Sequence, residues 1–144
     1  MTEDLSHWPL VIGCYRHAPD LAAYQAQLER WHGWLMQPTP FVWLRIYATP
    51  DALAQPEGSA ALGKAWLTER RALFQRQVAA MATVVLPPQA YASLKNLQVQ
   101  KAFGVPGQVH ASVPEALDWL RQQVFAPRGW PMPTQADVMA AAGL

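Results

Sequence analysis

The sequence predicts an α/β fold, with alternating β-α units and a mostly parallel four- or five-stranded sheet covered by helices. Three observations carry that reading. Short apolar runs of strand length alternate with longer stretches of helical periodicity. The clearest strand, Phe41–Tyr47 (FVWLRIY), is largely apolar on both faces, as a strand covered on two sides requires. Prolines and glycines fall mainly at the joints between segments.

At 144 residues the chain fits one domain and is long enough to bury a substantial core. Apolar residues make up 51% and charged residues 15%, which excludes a disordered chain. The seven tryptophans are expected mainly in the core, with a sticky partner surface as the alternative. A net charge of +1 argues against a general nucleic-acid binder, which carries a basic stripe. Cys14 is the single cysteine, so an internal disulfide and a thiolate-rich zinc site are excluded. Met1-Thr2-Glu3-Asp4 is acidic where a signal peptide is basic, and no apolar run has the length to span a bilayer. The expectation is a soluble, cytoplasmic protein without membrane insertion.

Residues 8–15 (WPLVIGCY) are the first strand, with Gly13 a weak point near its end. Pro19 and Asp20 start a helix over residues 19–37, with its apolar stripe at Leu21, Tyr24, Leu28, Trp31 and Leu35. In Phe41–Tyr47, alternation puts Val42, Leu44 and Ile46 on one face and Phe41, Trp43, Arg45 and Tyr47 on the other. The loop over residues 48–59 then leaves the carboxyl edge of the sheet, where α/β proteins usually hold ligands or switches. A long helix is expected over residues 60–80, buried along Leu62, Trp66, Leu73 and Val78. Residues 81–86 make a strand, residues 89–103 a less regular helix with Leu97 among its anchors, and residues 109–111 a brief strand. Ser112 and Glu115 have the form of a capping box for the next helix. Domain organisation reads as a core over residues 1–125 and a Pro-rich extension over residues 126–144, with a short helix capped by Thr134; Trp130 and Met132 suggest that the extension packs on its own domain or on a neighbouring subunit.

Chemistry is sparse. No strand–helix junction has the clustered glycines of a phosphate loop. Cys14 is expected to be a buried small apolar residue; a cysteine-phosphatase loop would have an arginine where this chain has Asp20. His7, His17, His32 and His110 lack the spacing of a common metal site, and no cofactor or metal is expected. Arg45 is the odd residue, because a charge on a central strand is costly unless paired. It is expected to lie near the sheet edge, to stack on Trp43 or Tyr47, or to meet a helix carboxylate; a structural ion pair is the favoured role, with anion binding as the alternative.

The runs WLTERRALFQRQVAAMATVVLP and KAFGVPGQVHASVPEALDWL resemble bacterial STAS-like domains, relatives of the anti-sigma-factor antagonists. The resemblance spans residues 8–125 and implies a small αβ domain that works by binding another protein, often under phosphorylation control. The family's switch is an Asp-Ser-Ser/Thr-Gly motif at the start of the second helix, where added negative charge changes docking. That motif is absent here, and Ser59 lies nearest the corresponding position, as a candidate phosphosite or a helix N-cap.

The sequence reading is therefore a non-enzymatic, protein-binding regulatory module, with a homo-oligomer as a further arrangement and no nucleic-acid partner. Partner contacts are expected at Thr49, Asp51, Leu53, Glu57 and Ser59. The alternative is a small-molecule-binding protein or enzyme using the strand ends near Cys14, His17, Arg45 and Asp51. A deep cavity enclosed by aromatic residues would favour that alternative, and a flat edge with a shallow apolar patch the first.

Overall fold

The strands are β1 (Thr2–Asp4), β2 (Leu10–Tyr15), β3 (Phe41–Tyr47), β4 (Val78–Val85) and β5 (Gly107–His110) in a computed structural model that describes residues 2–144. They form one mixed sheet in the order β1-β2-β3-β4-β5. β2 to β5 are parallel, and β1 pairs antiparallel with β2. The expected α/β architecture is therefore present, and the acidic start of the chain adds an edge strand that its charge concealed.

The two faces of β3 divide as the alternation predicts. Val42, Leu44 and Ile46 join Leu10, Ile12, Ala82 and Val84 in one core layer, while Phe41 and Trp43 join Val11, Trp34 and Met81 in the other. Each fully buried Val, Leu, Ile, Phe or Met side chain among them contributes about 1.5–3 kcal/mol. A bulge at Ala79 keeps both layers in phase, since Phe41 opposes Val78 and Val42 opposes Ala80.

Between β2 and β3 runs α1 (Leu21–Leu35), capped by the Asp20 side chain, which accepts a hydrogen bond from the Ala23 amide. Its buried stripe includes Leu28, Trp34 and Leu35, whereas Leu21 is exposed. The helix expected over residues 60–80 is two helices and the start of a strand: α2 (Ser59–Glu69), α3 (Arg71–Gln77), then β4. Arg70 leaves helical geometry between the two helices. Alanines at 79 and 80 favour helix locally, but pairing with the full length of β3 claims them for the sheet.

The segment over residues 89–103 also divides, into α4 (Pro88–Leu94) and α5 (Val99–Phe103). Leu97, expected as an anchor, is 57% exposed, and Val99 fills that role. Ser112 caps α6 (Val113–Leu120) by accepting from the Glu115 amide. A π turn (Arg121–Phe125) then carries the helix into α7 (Ala126–Arg128), so Pro127 sits in a helical first turn rather than in a linker.

The C-terminal segment ends in α8 (Gln135–Ala142), with a reciprocal capping box between Thr134 and Asp137. Val138 and Ala142 are fully buried against Leu10, Cys14 and Leu117. Arg16 donates to the carbonyls of Ala142 and Gly143 at 2.9 Å and ties the helix end to the β2 exit. Residues 126–144 thus complete the second layer of the core instead of extending from it. Among the described residues, no helix is long and apolar enough to cross a membrane.

Candidate functional site

On the face of the sheet covered by α1, α2, α3 and α5 lies a cavity of about 480 Å³. That volume is within the range of small-molecule sites. Its floor is the outer half of β3, where Trp43, Arg45 and Tyr47 point to the same side. Its walls come from Tyr24 and Trp31 of α1, Trp66 of α2 and Phe103 of α5. Trp31 meets Trp43 edge-on at 4.7 Å and Trp66 at 6.3 Å between ring centroids, so the indoles brace each other.

A missing side chain shapes one wall. Gly63 of α2 faces Tyr24 of α1, and a Cβ there would collide with the phenol oxygen. Burial raises the Tyr24 pKa, so its hydroxyl stays neutral in the cavity wall.

Arg45 lies among aromatic rings, its guanidinium carbon 5.4 Å from the Phe103 centroid, 5.7 Å from Trp43 and 6.0 Å from Tyr47. Nη2 donates to Thr83 Oγ1 of the neighbouring strand at 2.9 Å. The expected ion pair is not there: among the described residues no carboxylate lies within salt-bridge distance of Arg45. Its Nε is buried without a hydrogen-bond partner, and so is Nε1 of Trp43 two residues earlier. Lys64 and Arg71 also line the cavity, and no Asp, Glu, His or Cys does.

Trp31 is held from behind by a buried carboxylate. Glu3 of β1 accepts from Trp31 Nε1 at 3.0 Å, from Tyr15 Oη at 2.8 Å and from Arg30 Nε at 2.6 Å. Burial and the Glu3 charge push the Tyr15 phenol pKa well up. Gly13 is the space that permits this, because a Cβ there would strike the Tyr15 ring. The residue read as a weak point in the strand is a packing requirement.

Of Cys14, His17, Arg45 and Asp51, only His17 and Asp51 are brought together. Cys14 and Arg45 lie on opposite faces of the sheet. Cys14 is fully buried, and desolvation raises its thiol pKa, which leaves it a core residue. His17 is 82% exposed and sits 3.9 Å from Asp51. Asp51 also accepts from the Ala18 amide at 3.1 Å, so it pins the exits of β2 and β3 together. Thr49 donates to the Arg16 carbonyl and accepts from the Ala52 amide in the same junction. None of Thr49, Asp51, Leu53, Glu57 or Ser59 lines the cavity; Gln55 represents the loop there.

Gly58 occupies the N-cap of α2, so Ser59 is the first helical residue rather than the cap. Ser59 is 1% exposed, with its hydroxyl donating to Gln55 Oε1 at 3.4 Å. A kinase would reach it only after the start of α2 opened. Among the described residues, no group of three or more His, Cys, Asp or Glu is placed to hold a metal ion.

Sequence reasoning named Arg45 but read Tyr24, Trp31 and Trp66 as core. The usable signal was a strand charge flanked by Trp43 and Tyr47, in a chain with seven tryptophans. No family model, curated protein or solved structure matches this chain.

Proposed function

We propose that this chain is a binding protein for a small, largely apolar organic molecule, held in the aromatic cavity between the sheet and α1–α3. One observation carries the reading: a cavity of about 480 Å³ remains beside a close-packed core and is walled by three tryptophans, Tyr24 and Phe103. A recess of this size with a predominantly apolar, aromatic lining has the character of a small-molecule site. Binding is favoured over catalysis because the lining offers no carboxylate, imidazole or thiol, and so no base to activate its Tyr, Thr or Lys side chains.

The protein-binding reading from the STAS-like resemblance ranks second. The geometry of residues 48–59 supports it less, since Thr49, Asp51 and Ser59 make their hydrogen bonds within the chain. Only Leu53 and Glu57 of the expected contact set have side chains without such bonds.

The cavity reading is tested with N-phenyl-1-naphthylamine, a neutral probe whose fluorescence rises in apolar sites. Saturable binding with quenching of tryptophan emission is expected for the parent chain. Ala60→Trp and Ala102→Trp place bulk at two exposed lining positions and should each weaken it. Absence of saturable binding, or unchanged binding in both variants, refutes the reading.

A further inference from the structure

We infer that the cavity selects an organic monocarboxylate, with the carboxylate on the Arg45 guanidinium and a flat or acyl body among the indoles of Trp31, Trp43 and Trp66. This rests on the cavity being a ligand site and adds what that ligand must carry.

The first argument is charge. Three cationic side chains, Arg45, Lys64 and Arg71, line the cavity without a single lining carboxylate. Yet the chain as a whole has 11 Lys and Arg against 10 Asp and Glu. The cavity lining is therefore more cationic than the nearly balanced chain. Lys64 and Arg71 are exposed and solvated, so they raise the potential for an arriving anion without suffering from its absence. Arg45 differs, because it is packed among three rings and has lost much of its water.

The second argument is unmet hydrogen bonding. A guanidinium has five N–H donors, and the described residues engage it through Nη2 alone. Buried polar atoms without partners are rare in native proteins. Two of the three such side-chain atoms here, Arg45 Nε and Trp43 Nε1, belong to adjacent same-face positions on the cavity floor. A carboxylate entering from the cavity meets the guanidinium at its Nη edge and supplies the missing counter-charge, while Arg45 Nε and Trp43 Nε1 are closed to it as they are to water.

The third argument separates a carboxylate from a phosphate. The half-buried end of the site presents one guanidinium, matched by a single negative charge. The second charge of a phosphate monoester would have to be met by Lys64 or Arg71, which are exposed and screened by solvent, whereas a monocarboxylate is matched by Arg45 alone. The rings meanwhile offer faces and edges to an apolar body, which a small inorganic anion would leave uncovered.

The experiment compares 1-naphthaleneacetic acid, its methyl ester and 1-naphthyl phosphate by tryptophan quenching and calorimetry at pH 7. The neutral probe N-phenyl-1-naphthylamine is titrated in parallel. In the parent chain the acid should bind at least about tenfold tighter than the ester, the gap expected from one charge-assisted hydrogen bond. In Arg45→Met, which keeps the length of the side chain, that gap should collapse while the neutral probe still binds. Arg45→Lys should keep part of it. Equal binding of acid and ester by the parent chain overturns the carboxylate and leaves the cavity reading standing; this comparison needs no variant to fold. Tighter binding of the phosphate than of the acid also overturns it. If neither the neutral probe nor the acid binds, both proposals fall together.

Discussion

Replacing Glu3 by alanine tests how the edge strand and the aromatic wall are joined. Its carboxylate is 6% exposed and accepts from Arg30, Tyr15 and Trp31. A hydrogen bond to a charged group contributes about 1.5–3 kcal/mol. The three share one acceptor group and so do not add independently. The Arg30 side chain is 38% exposed, so its share is reduced by solvent screening. The expected loss for Glu3→Ala is about 2.5–4 kcal/mol, or roughly 5–15 °C in Tm for a chain of this length. Glu3→Gln keeps the shape and removes the charge, and should lose about half as much. Urea and thermal unfolding followed by circular dichroism measure both. Near-ultraviolet dichroism should change as well, because Trp31 loses the bond that orients it against Trp43 and Trp66. A Glu3→Ala protein within about 0.5 kcal/mol of the parent would show that β1 is held by its strand pairing alone and refute the reasoning.

Three further outcomes follow from the same packing. The Cys14 thiol, fully buried with its pKa raised, should resist Ellman's reagent in the native state and react once urea unfolds the chain; rapid native modification would contradict its place in the core. Burial holds His110 below the ordinary histidine pKa, with the Glu115 charge acting in the opposite sense. The unfolded chain therefore takes up the proton first as pH falls. The contribution of His110 is complete above the unfolded pKa and is lost as pH falls toward the folded value. Replacing it with Gln should flatten the decline in stability between about pH 7 and 5 relative to the parent, and an unchanged decline would count against that origin. Val138→Asp puts a charge against Leu10 and Leu117 and should abolish cooperative unfolding; a folded variant would show that α8 is dispensable to the core.

The alternation in Phe41–Tyr47 was enough to place every side chain of β3 on its correct face. That follows because side-chain direction in a strand depends on the local backbone alone. The α/β class was legible for a similar reason, since the helical stripe of α1 and the apolar strands are local patterns. Arg45 could be singled out as a charge in an apolar strand, because its cost depends on burial that the pattern already implied.

Tertiary structure decided the rest. Whether Ala79 and Ala80 lie in helix or sheet depends on β3, which lies far away in sequence and offers pairing partners along its whole length. The acidic residues at the start became a strand because Glu3 finds Arg30, Tyr15 and Trp31, three donors that only folding assembles. The C-terminal prolines suggested an irregular linker, yet α8 packs on β1 and β2, and Val138 and Ala142 join the core layer there. The site itself is of this second kind. A cavity is the space that α1, α2, α3 and α5 fail to fill, and Gly63 sets one wall of it by letting the Tyr24 phenol approach α2 closely. No local pattern encodes such a space, and Arg45 stands in it without a carboxylate only because of where the helices stop.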